Sequence, residues 1–400
     1  MLFLSNIANS SYSQKELKRC LRKEDFWKYE ISEDVDGEIE EISRNFHELE
    51  FKVLGIKKST ISGRTIFFPQ TLHDAVCLRR TNEILKSTLR HTTNSRNDEV
   101  RQLKHIIRNM EGCKILKTDV ASLFENIPFK EIIRKLANGG LRHNLTLNHL
   151  RQLSTLMIKN FSYYGLPPGL GLSSTLADFA FSLFDSSTIN HPDVEYYTRY
   201  VDDLCILHHG ESSSIEKHLT ATLPFKLQLN RKKTKRYEYP SQSSLDFLGY
   251  SISLSNNDLA TKISPKKLGR AKTRIVLCLK SYLAKQDFPL LLNRIRFLSS
   301  SVKMKISTRE APVFSGHRHV YRLCNTQLLE DQMKELDIFF HGLLSSNRYS
   351  LSRNLRHNMS EEQRAELKRM SFRSSVNKHK FTHKMKNFLI GKIRKAWQYE

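Results

Sequence analysis

The sequence predicts a mixed α/β (α+β) fold that contains an antiparallel sheet, and three segments carry this prediction. Residues 195–208 hold two runs of β-branched and aromatic residues around a pair of aspartates, which is typical of a β-hairpin. Residues 114–119 form a third apolar run, and Pro128 is placed to open a helix near 129–136. From Ser264 onward the pattern favours helices.

The aspartate pair, Asp202 and Asp203, lies at the tip of the predicted hairpin. Carboxylates among apolar strands cost several kcal/mol to bury unless they are paired or bind a metal. Hard oxygen ligands suit Mg²⁺ or Mn²⁺, so a divalent cation is the expected partner. A solvated Asp-Asp turn is the alternative that these two residues alone leave open.

A third carboxylate, Asp119, ends the strand predicted at 114–119. Phosphoryl transfer from a nucleotide benefits from two cations about 3.5–4 Å apart, which activate the attacking hydroxyl and stabilise the leaving pyrophosphate. Three carboxylates on adjacent strands are about the minimum set for such a pair of ions. Phe124 follows five residues later, where its ring would lie beside the nucleotide sugar and exclude a 2′-hydroxyl. An ordinary core phenylalanine is the alternative.

A loop rich in glycine and proline, residues 164–172, lies between these acids and precedes an apolar helix that continues to Phe184. Glycine allows the backbone to approach a ligand closely, and Ser173 or Ser174 is placed to cap the helix. No GxxxxGK[ST] pattern occurs in the chain, so the loop is not a P-loop.

The chain is strongly basic. Its 400 residues carry a formal net charge of +24 and its pI is about 9.8, which indicates a polyanionic partner, either nucleic acid or an anionic membrane surface. No apolar run approaches the roughly 20 residues that span a bilayer, which favours nucleic acid. The six cysteines are scattered without a CxxC pair, which is typical of a reducing compartment. We therefore expect a cytoplasmic protein that binds nucleic acid and has no membrane partner.

Charge is unevenly distributed along the chain. Residues 24–50 contain eleven acids and two bases, a local balance of −9, whereas residues 364–395 contain eleven bases and one acid, a balance of +10. Apolar residues are interleaved through both segments. The first segment is expected to be a solvated acidic helix, with a nucleic-acid mimic as the alternative, and the second a folded helical unit with a cationic face.

The motifs, taken in order, resemble those of reverse transcriptases, most closely the bacterial group II intron, retron and phage-defence enzymes. Those that carry the resemblance are 64–69 (fingers segment), Asp119 with Phe124 (first catalytic motif and sugar gate), 165–177 (template- and nucleotide-positioning loop and helix), 200–203 (metal-binding hairpin), 229–234 (motif of the general-acid lysine) and 247–250 (turn that grips the primer). Together they cover about residues 60 to 255.

This resemblance implies a right-hand polymerase, with fingers, an antiparallel-sheet palm that carries the hairpin, and a helical thumb followed by a basic helical C-terminal region. It divides the chain into a helical N-terminal segment (1–55), fingers and palm (56–255), thumb (256–345) and a basic nucleic-acid-binding extension (346–400).

Roles for individual residues follow from the same resemblance. Asp119, Asp202, Asp203 and Lys233 would be catalytic, and Asp119, Val120, Asp202 and Asp203 would hold two Mg²⁺ ions, with Mn²⁺ as a substitute. The nucleotide would be bound by Arg64, Phe124 and Gly169, and the primer end by Phe247, Leu248, Gly249 and Tyr250. Lys266, Lys267, Arg270, Lys272 and Arg274 are placed to follow a nucleic-acid backbone, with a solvated helix face as the alternative.

The activity that the resemblance implies is RNA-directed DNA synthesis, in which a primer hydroxyl attacks the α-phosphate of a dNTP on an RNA template. Antiphage defence in bacteria, a structured non-coding RNA, and a partner protein or a homo-oligomer are further expectations from the same source.

Two residues depart from the family pattern, and both concern template handling. Pro168 stands where the family usually has glutamine, and Asp178 stands where it usually has asparagine. These departures keep open template-independent or repetitive DNA synthesis by the same site. A non-catalytic RNA-binding scaffold is the third alternative.

Overall fold

The structure, a computed structural model, describes the following residues: 11–22, 25–29, 35–47, 55–61, 63–89, 95–110, 112–141, 143–255, 259–306, 309–313, 316–377, 382–385 and 390–398. It divides the chain into two compact units, one comprising Met1–Glu99 and His105–Pro240, the other Val100–Lys104 and Ser241–Glu400. The four-part division expected from the sequence stays a prediction.

The first unit contains helices and strands that we number in chain order. They are α1 (Gln14–Arg19), α2 (Asp25–Lys28), α3 (Val35–His47), β1 (Ile56–Ile61), β2 (Arg64–Pro69), α4 (Leu72–Thr88), most of α5 (Arg96–Arg108), β3 (Lys114–Asp119), α6 (Leu123–Asn126), α7 (Phe129–Asn138), α8 (Asn144–Phe161), α9 (Gly171–Ile189), β4 (Val194–Tyr200), β5 (Asp203–His208), α10 (Ser212–Thr222), a 3-10 turn (Pro224–Lys226) and β6 (Lys235–Glu238).

The second unit follows from Ser241 and is mainly helical. Its elements are β7 (Ser244–Phe247), β8 (Tyr250–Ser253), β9 (Thr261–Ile263), α11 (Pro265–Lys285), α12 (Phe288–Ser299), β10 (Ser301–Ile306), β11 (Arg309–Val313), α13 (Gly316–Val320), α14 (Thr326–Ser345), α15 (Ser350–Asn358), α16 (Glu361–Lys368), α17 (Ser374–Asn377), β12 (Thr382–Met385) and α18 (Ile390–Gln398).

The predicted antiparallel sheet is confirmed in the first unit, where the strand order is β4-β5-β3-β6 and every neighbouring pair is antiparallel. Residues 204–207 of the central strand β5 are fully buried. This burial explains why the segment reads as a continuous apolar run and not as an alternation of apolar and polar residues.

Helix α9 packs one face into the core of the first unit, where Leu172, Leu176, Phe181 and Phe184 are buried. The predicted serine cap was wrong, because the helix begins at Gly171 with Leu170 at the N-cap position and no side-chain cap. The hydroxyl of Ser173 donates instead to the carbonyl of Pro167, at 2.7 Å. The helix predicted after Pro128 is confirmed as α7, with Pro128 at its N-cap position.

The acidic N-terminal segment forms helix α3 within the described residues. Ile39 and Ile42 of this helix are buried in a small cluster with Tyr12 and Leu17, so its apolar face packs while Glu40 and Glu41 are exposed. The solvated acidic helix that the sequence predicts is therefore present, although parts of the 24–50 segment lie outside the described residues.

The second unit opens with an antiparallel sheet of order β7-β8-β9, followed by the long helix α11. Leu268, Ile275 and Leu279 of α11 are buried, as their spacing predicts. The basic C-terminal region contains helices and, in addition, strand β12, which pairs in parallel with β10.

Among the described residues, no helix combines the length and the apolar character needed to cross a membrane. The six cysteines are free thiols, and all except Cys324 are buried.

Candidate active site

Three aspartates converge at one end of the antiparallel sheet. Asp119 is the last residue of β3, Asp203 is the first residue of β5, and the two are direct partners across the strands. Asp202 precedes Asp203 in the turn that joins β4 to β5. Each of the three side chains offers a carboxylate oxygen within 4.8 Å of the others. We call Asp119, Asp202 and Asp203 the acidic triad.

Backbone hydrogen bonds fix the triad from both sides. The Val120 amide donates to the Asp202 carbonyl at 2.9 Å, which ties the end of β3 to the hairpin tip. On the other side the Asn230 amide donates to the Asp119 carbonyl at 2.7 Å. The predicted role of Val120 as a metal ligand stays a prediction.

Two lysines lie against the triad. Nζ of Lys233, the residue predicted as the general acid, donates to Oδ2 of Asp119 at 2.8 Å. Nζ of Lys117 lies 3.2 Å from Oδ1 of Asp203. The sequence reasoning missed Lys117, although its place two residues before Asp119 puts it on the same face of the strand.

The electrostatics of the triad favour a divalent cation. Burial, followed by the charges of Asp119 and Asp203, raises the pKa of Asp202 from 3.8 to about 6. A cation among the three carboxylates would remove this repulsion, and hard oxygen donors at this spacing suit Mg²⁺ or Mn²⁺. The residues present therefore fit the predicted metal.

The loop that precedes α9 packs against strand β2. The Phe67 amide donates to the carbonyl of Pro168 at 2.7 Å. Pro168, which departs from the family pattern, thus joins the loop to β2 through a backbone hydrogen bond. Gly169 has φ +95°, and a Cβ there would lie 2.5 Å from the Phe67 carbonyl oxygen. Arg64, predicted to contact the nucleotide, is an exposed residue at the start of β2.

Phe124 belongs to the short helix α6, which follows Asp119 and the turn after it. Its side chain is half-buried and packs against the core cluster of the first unit. Its carbonyl accepts a hydrogen bond from Leu166 at 2.8 Å, which links α6 to the glycine-containing loop. A Cβ at Gly165 would lie 2.5 Å from the same carbonyl oxygen, so this close approach requires glycine.

The predicted primer-gripping turn joins β7 to β8 in the second unit. Phe247 and Tyr250 are buried, whereas Leu248 and Gly249 form the tip and have φ +48° and +86°. The two aromatic rings therefore belong to the core, and the primer-gripping role of the turn stays a prediction.

The five basic residues predicted for nucleic-acid binding lie in the first half of α11. Lys266 is exposed, while Lys267, Arg270 and Arg274 are half-buried. Lys272 forms an ion pair with Glu335 and lies 5.6 Å from the centre of the Phe339 ring. Lys272 is therefore already partnered within its own unit.

A second charge cluster, which sequence reasoning missed, joins strand β4 of the hairpin to helix α9. Arg199 of β4 forms ion pairs with Asp178 and Asp185 of α9, at 2.8 and 2.7 Å. In the sequence, Asp178 attracts notice only because it stands where the family usually has asparagine. The seven-residue spacing of the two aspartates, which places them on one helix face, was the available signal.

Residues 64–252 match the family model described as reverse transcriptase (RNA-dependent DNA polymerase). Among solved structures the chain is similar to apo telomerase from Candida tropicalis truncated from the C-terminal domain (16% identity, TM-score 0.38, 54% of this chain and 55% of that chain). It is also similar to apo telomerase from Candida tropicalis (14% identity, TM-score 0.39, 81% of this chain and 63% of that chain).

A third similar structure is telomerase from Candida albicans in complex with a TWJ fragment of telomeric RNA (14% identity, TM-score 0.34, 73% of this chain and 52% of that chain). The chain spans between about half and two thirds of the length of these telomerase chains. A comparison with curated proteins gives no match.

Proposed function

We propose, from the premise that residues 64–252 form a reverse transcriptase domain, that this protein is an RNA-directed DNA polymerase that adds deoxynucleotides to a primer end. The observation that carries the proposal is the acidic triad, whose carboxylate oxygens lie within 4.8 Å of one another. Three carboxylates this close together can hold the pair of divalent cations that phosphoryl transfer uses.

Asp119, Asp202 and Asp203 would hold two Mg²⁺ ions, with Val120 as a further ligand. Bound there, the ions would activate the primer hydroxyl and neutralise charge on the triphosphate. Lys233 would protonate the leaving pyrophosphate. Its Nζ lies 2.8 Å from Asp119, and its side chain is 42% exposed, so the ammonium group has room to turn toward a substrate.

Phe124 would select the sugar, and Arg64 would contact the triphosphate. A half-buried ring held by the core has a fixed position, which steric exclusion of a 2′-hydroxyl requires. The exposed guanidinium of Arg64 is accessible to a charged ligand.

The central experiment is incorporation of labelled dNTP on a primed RNA template with Mg²⁺. The double variant Asp202→Asn, Asp203→Asn should lose incorporation by at least about 1,000-fold, since it removes two of the three carboxylates that would hold the metal. Asp331→Asn, a change at an exposed aspartate of α14, is the matched control and should retain activity. Retained synthesis by the double variant would overturn the site assignment.

A second candidate function, template-independent or repetitive DNA synthesis, is favoured by Pro168. A proline side chain in the positioning loop has no hydrogen-bonding group to offer a template base. Its carbonyl accepts from Phe67, and a Pro168→Gln variant keeps that acceptor while adding a side-chain amide. Sequencing the products made with all four dNTPs separates the two candidates. Products unrelated to the template in wild type, and templated products in the variant, would favour untemplated synthesis.

We further propose a structured non-coding RNA as a bound partner, and a role in antiphage defence. The net charge of +24 and the basic residues of α11 supply the affinity for a polyanion. Purification from cells followed by sequencing of the bound nucleic acid tests the partner. Phage plating on cells that carry wild type or the double aspartate variant tests the biological role, which requires protection by the wild type alone.

A further inference from the structure

The hairpin tip has an unusual backbone conformation. Val201, the first of its two turn residues, has φ +60°. This left-handed region is unfavourable for a β-branched residue, and glycine is preferred where a two-residue hairpin turn needs a positive φ at this position. Such a conformation persists only where the surrounding structure holds it. Because Asp202 is the next residue, whatever holds Val201 also orients a carboxylate of the acidic triad.

Arg199 supplies a contact that holds the tip. Its Nη1 donates to the carbonyl of Val201 at 3.2 Å. The side chain is only 7% exposed, and its Cζ lies 4.8 Å from the centre of the Phe181 ring. A buried guanidinium stacked on an aromatic ring has little freedom to move, so the hydrogen bond fixes the position of the Val201 carbonyl.

Two aspartates of α9 fix the guanidinium in turn. Asp185 accepts from Nε at 2.9 Å and from Nη2 at 2.7 Å, which is a bidentate pair. Asp178 accepts from Nη1 at 2.8 Å, from the same nitrogen that donates to Val201. The hydroxyl of Tyr197 donates to Asp185 at 2.6 Å. We call Arg199, Asp178 and Asp185 the arginine clamp.

We infer that Arg199 is a positioning residue, and that the arginine clamp holds the hairpin tip in the conformation that binds a divalent cation. The inference rests on the proposed function, because it assigns the acidic triad to metal binding. Asp178, in place of the family's usual asparagine, gives the clamp a second full negative charge. The helix that follows the glycine-containing loop is thereby connected to the metal-binding turn.

The first test measures Mn²⁺ binding to the full chain without nucleotide or nucleic acid, from the electron paramagnetic resonance signal of free Mn²⁺. Arg199→Gln should weaken binding by about tenfold, the effect typical of residues that orient metal ligands. Asp178→Asn preserves shape and removes only charge, so it should fold as the wild type does and weaken binding by about threefold. Unchanged Mn²⁺ affinity in Asp178→Asn and in folded Arg199→Gln would overturn the inference.

The second test is a rescue that a purely structural ion pair would not show. Glycine adopts a positive φ without strain, so a hairpin with Val201→Gly no longer needs the clamp. Adding Arg199→Gln to Val201→Gly should therefore weaken Mn²⁺ binding by less than about twofold, against about tenfold in the valine background. Equal losses in the two backgrounds would show that Arg199 acts elsewhere.

A kinetic readout separates this inference from the proposed function. In the clamp variants the Mg²⁺ concentration for half-maximal incorporation should rise about as much as the Mn²⁺ dissociation constant, while the KM for dNTP at saturating Mg²⁺ changes less than about twofold. Arg134→Gln, which removes an exposed ion pair of α7, should change neither quantity. If wild type binds Mn²⁺ but makes no DNA, the proposed function fails, and the binding tests still decide the inference.

Discussion

Lys117 and Asp203 form an ion pair across the central strands of the sheet, with Nζ 3.2 Å from Oδ1. Lys233 makes the corresponding contact to Asp119 at 2.8 Å. Two of the three carboxylates in the acidic triad therefore have an ammonium group close by. These lysines offset part of the repulsion among the acids, and a divalent cation that binds the triad would compete with them for the same oxygens.

Lys117→Gln should destabilise the metal-free protein by about 1–3 kcal/mol, because a partly buried carboxylate loses its charged partner. A bound cation would restore the missing positive charge. Mg²⁺ should therefore raise the melting temperature of this variant by more than it raises that of wild type. Thermal unfolding in EDTA and in Mg²⁺ at neutral pH measures both effects.

Lys114→Gln is the matched control for that experiment. Lys114 lies on the same strand and pairs with Glu211, a solvent-exposed residue. Exposed pairs contribute little, so this variant should show nearly wild-type stability and a wild-type response to Mg²⁺. Equal responses of Lys117→Gln and Lys114→Gln to Mg²⁺ would contradict the role given to Lys117.

The raised pKa of Asp202, about 6 against 3.8, predicts a pH dependence for Asp202→Asn. The folded protein binds a proton on the Asp202 carboxyl more tightly than the unfolded chain does. Protonation of Asp202 therefore stabilises the fold, fully below the ordinary pKa of 3.8, and this stabilisation is lost as pH rises through about 6. In EDTA the variant should therefore be more stable than wild type at pH 8, and its advantage should shrink as pH falls from 7 to 4.

Denaturant unfolding across that pH range provides the measurement for Asp202→Asn. Saturating Mg²⁺ at pH 8 should remove the advantage of the variant. The wild type keeps the Asp202 carboxylate, so it binds the cation more tightly and is stabilised more by it. A stability difference that stays the same at every pH would contradict the electrostatic account of this site.

Phe124→Ala should relax sugar selection. Removing the ring opens the space that a 2′-hydroxyl would occupy, so the preference for dNTP over NTP, measured as a ratio of kcat/KM values, should fall by about 10–100-fold. Phe124→Tyr keeps the ring and should keep the preference. An unchanged ratio in Phe124→Ala would instead identify Phe124 as an ordinary core residue.

Gly169→Ala should disturb the loop between the sheet and α9. The added Cβ would meet Ile66 and lie 2.5 Å from the carbonyl oxygen of Phe67, at a φ of +95° that alanine rarely adopts. We expect a loss of about 1–3 kcal/mol in the free energy of unfolding, together with a loss of incorporation. Gly342→Ala, in a helix with open space around it, should be neutral or stabilising by up to about 1 kcal/mol.

Local pattern was sufficient to predict the elements that carry the acidic triad. Strand β3 has the bounds that its apolar run predicts, and the hairpin turns at the predicted aspartates. The reason is that β-branched and aromatic residues favour the extended backbone over short stretches, so these segments need little information from elsewhere in the chain. Residues 64–252, which contain these motifs, match the reverse transcriptase family model, whereas the closer resemblance to bacterial retron and phage-defence enzymes stays a prediction.

The start of α9 could not be derived from its serines in the same way. Ser173 lies inside the helix and donates to Pro167, because the loop packs against β2 and fixes where the helix begins. Tertiary contacts of the loop thus decided a boundary that capping preference alone placed too late.

The sequence by itself determined which residues of this protein carry charge and where the three aspartates and the strands that carry them lie along the chain. Only the tertiary structure decided which charges meet: Lys117 with Asp203, and Arg199 with Asp178 and Asp185. Those pairs depend on strand register and on how α9 packs against β4. Both are set by burial of apolar surface across the whole unit, which no short window of sequence contains.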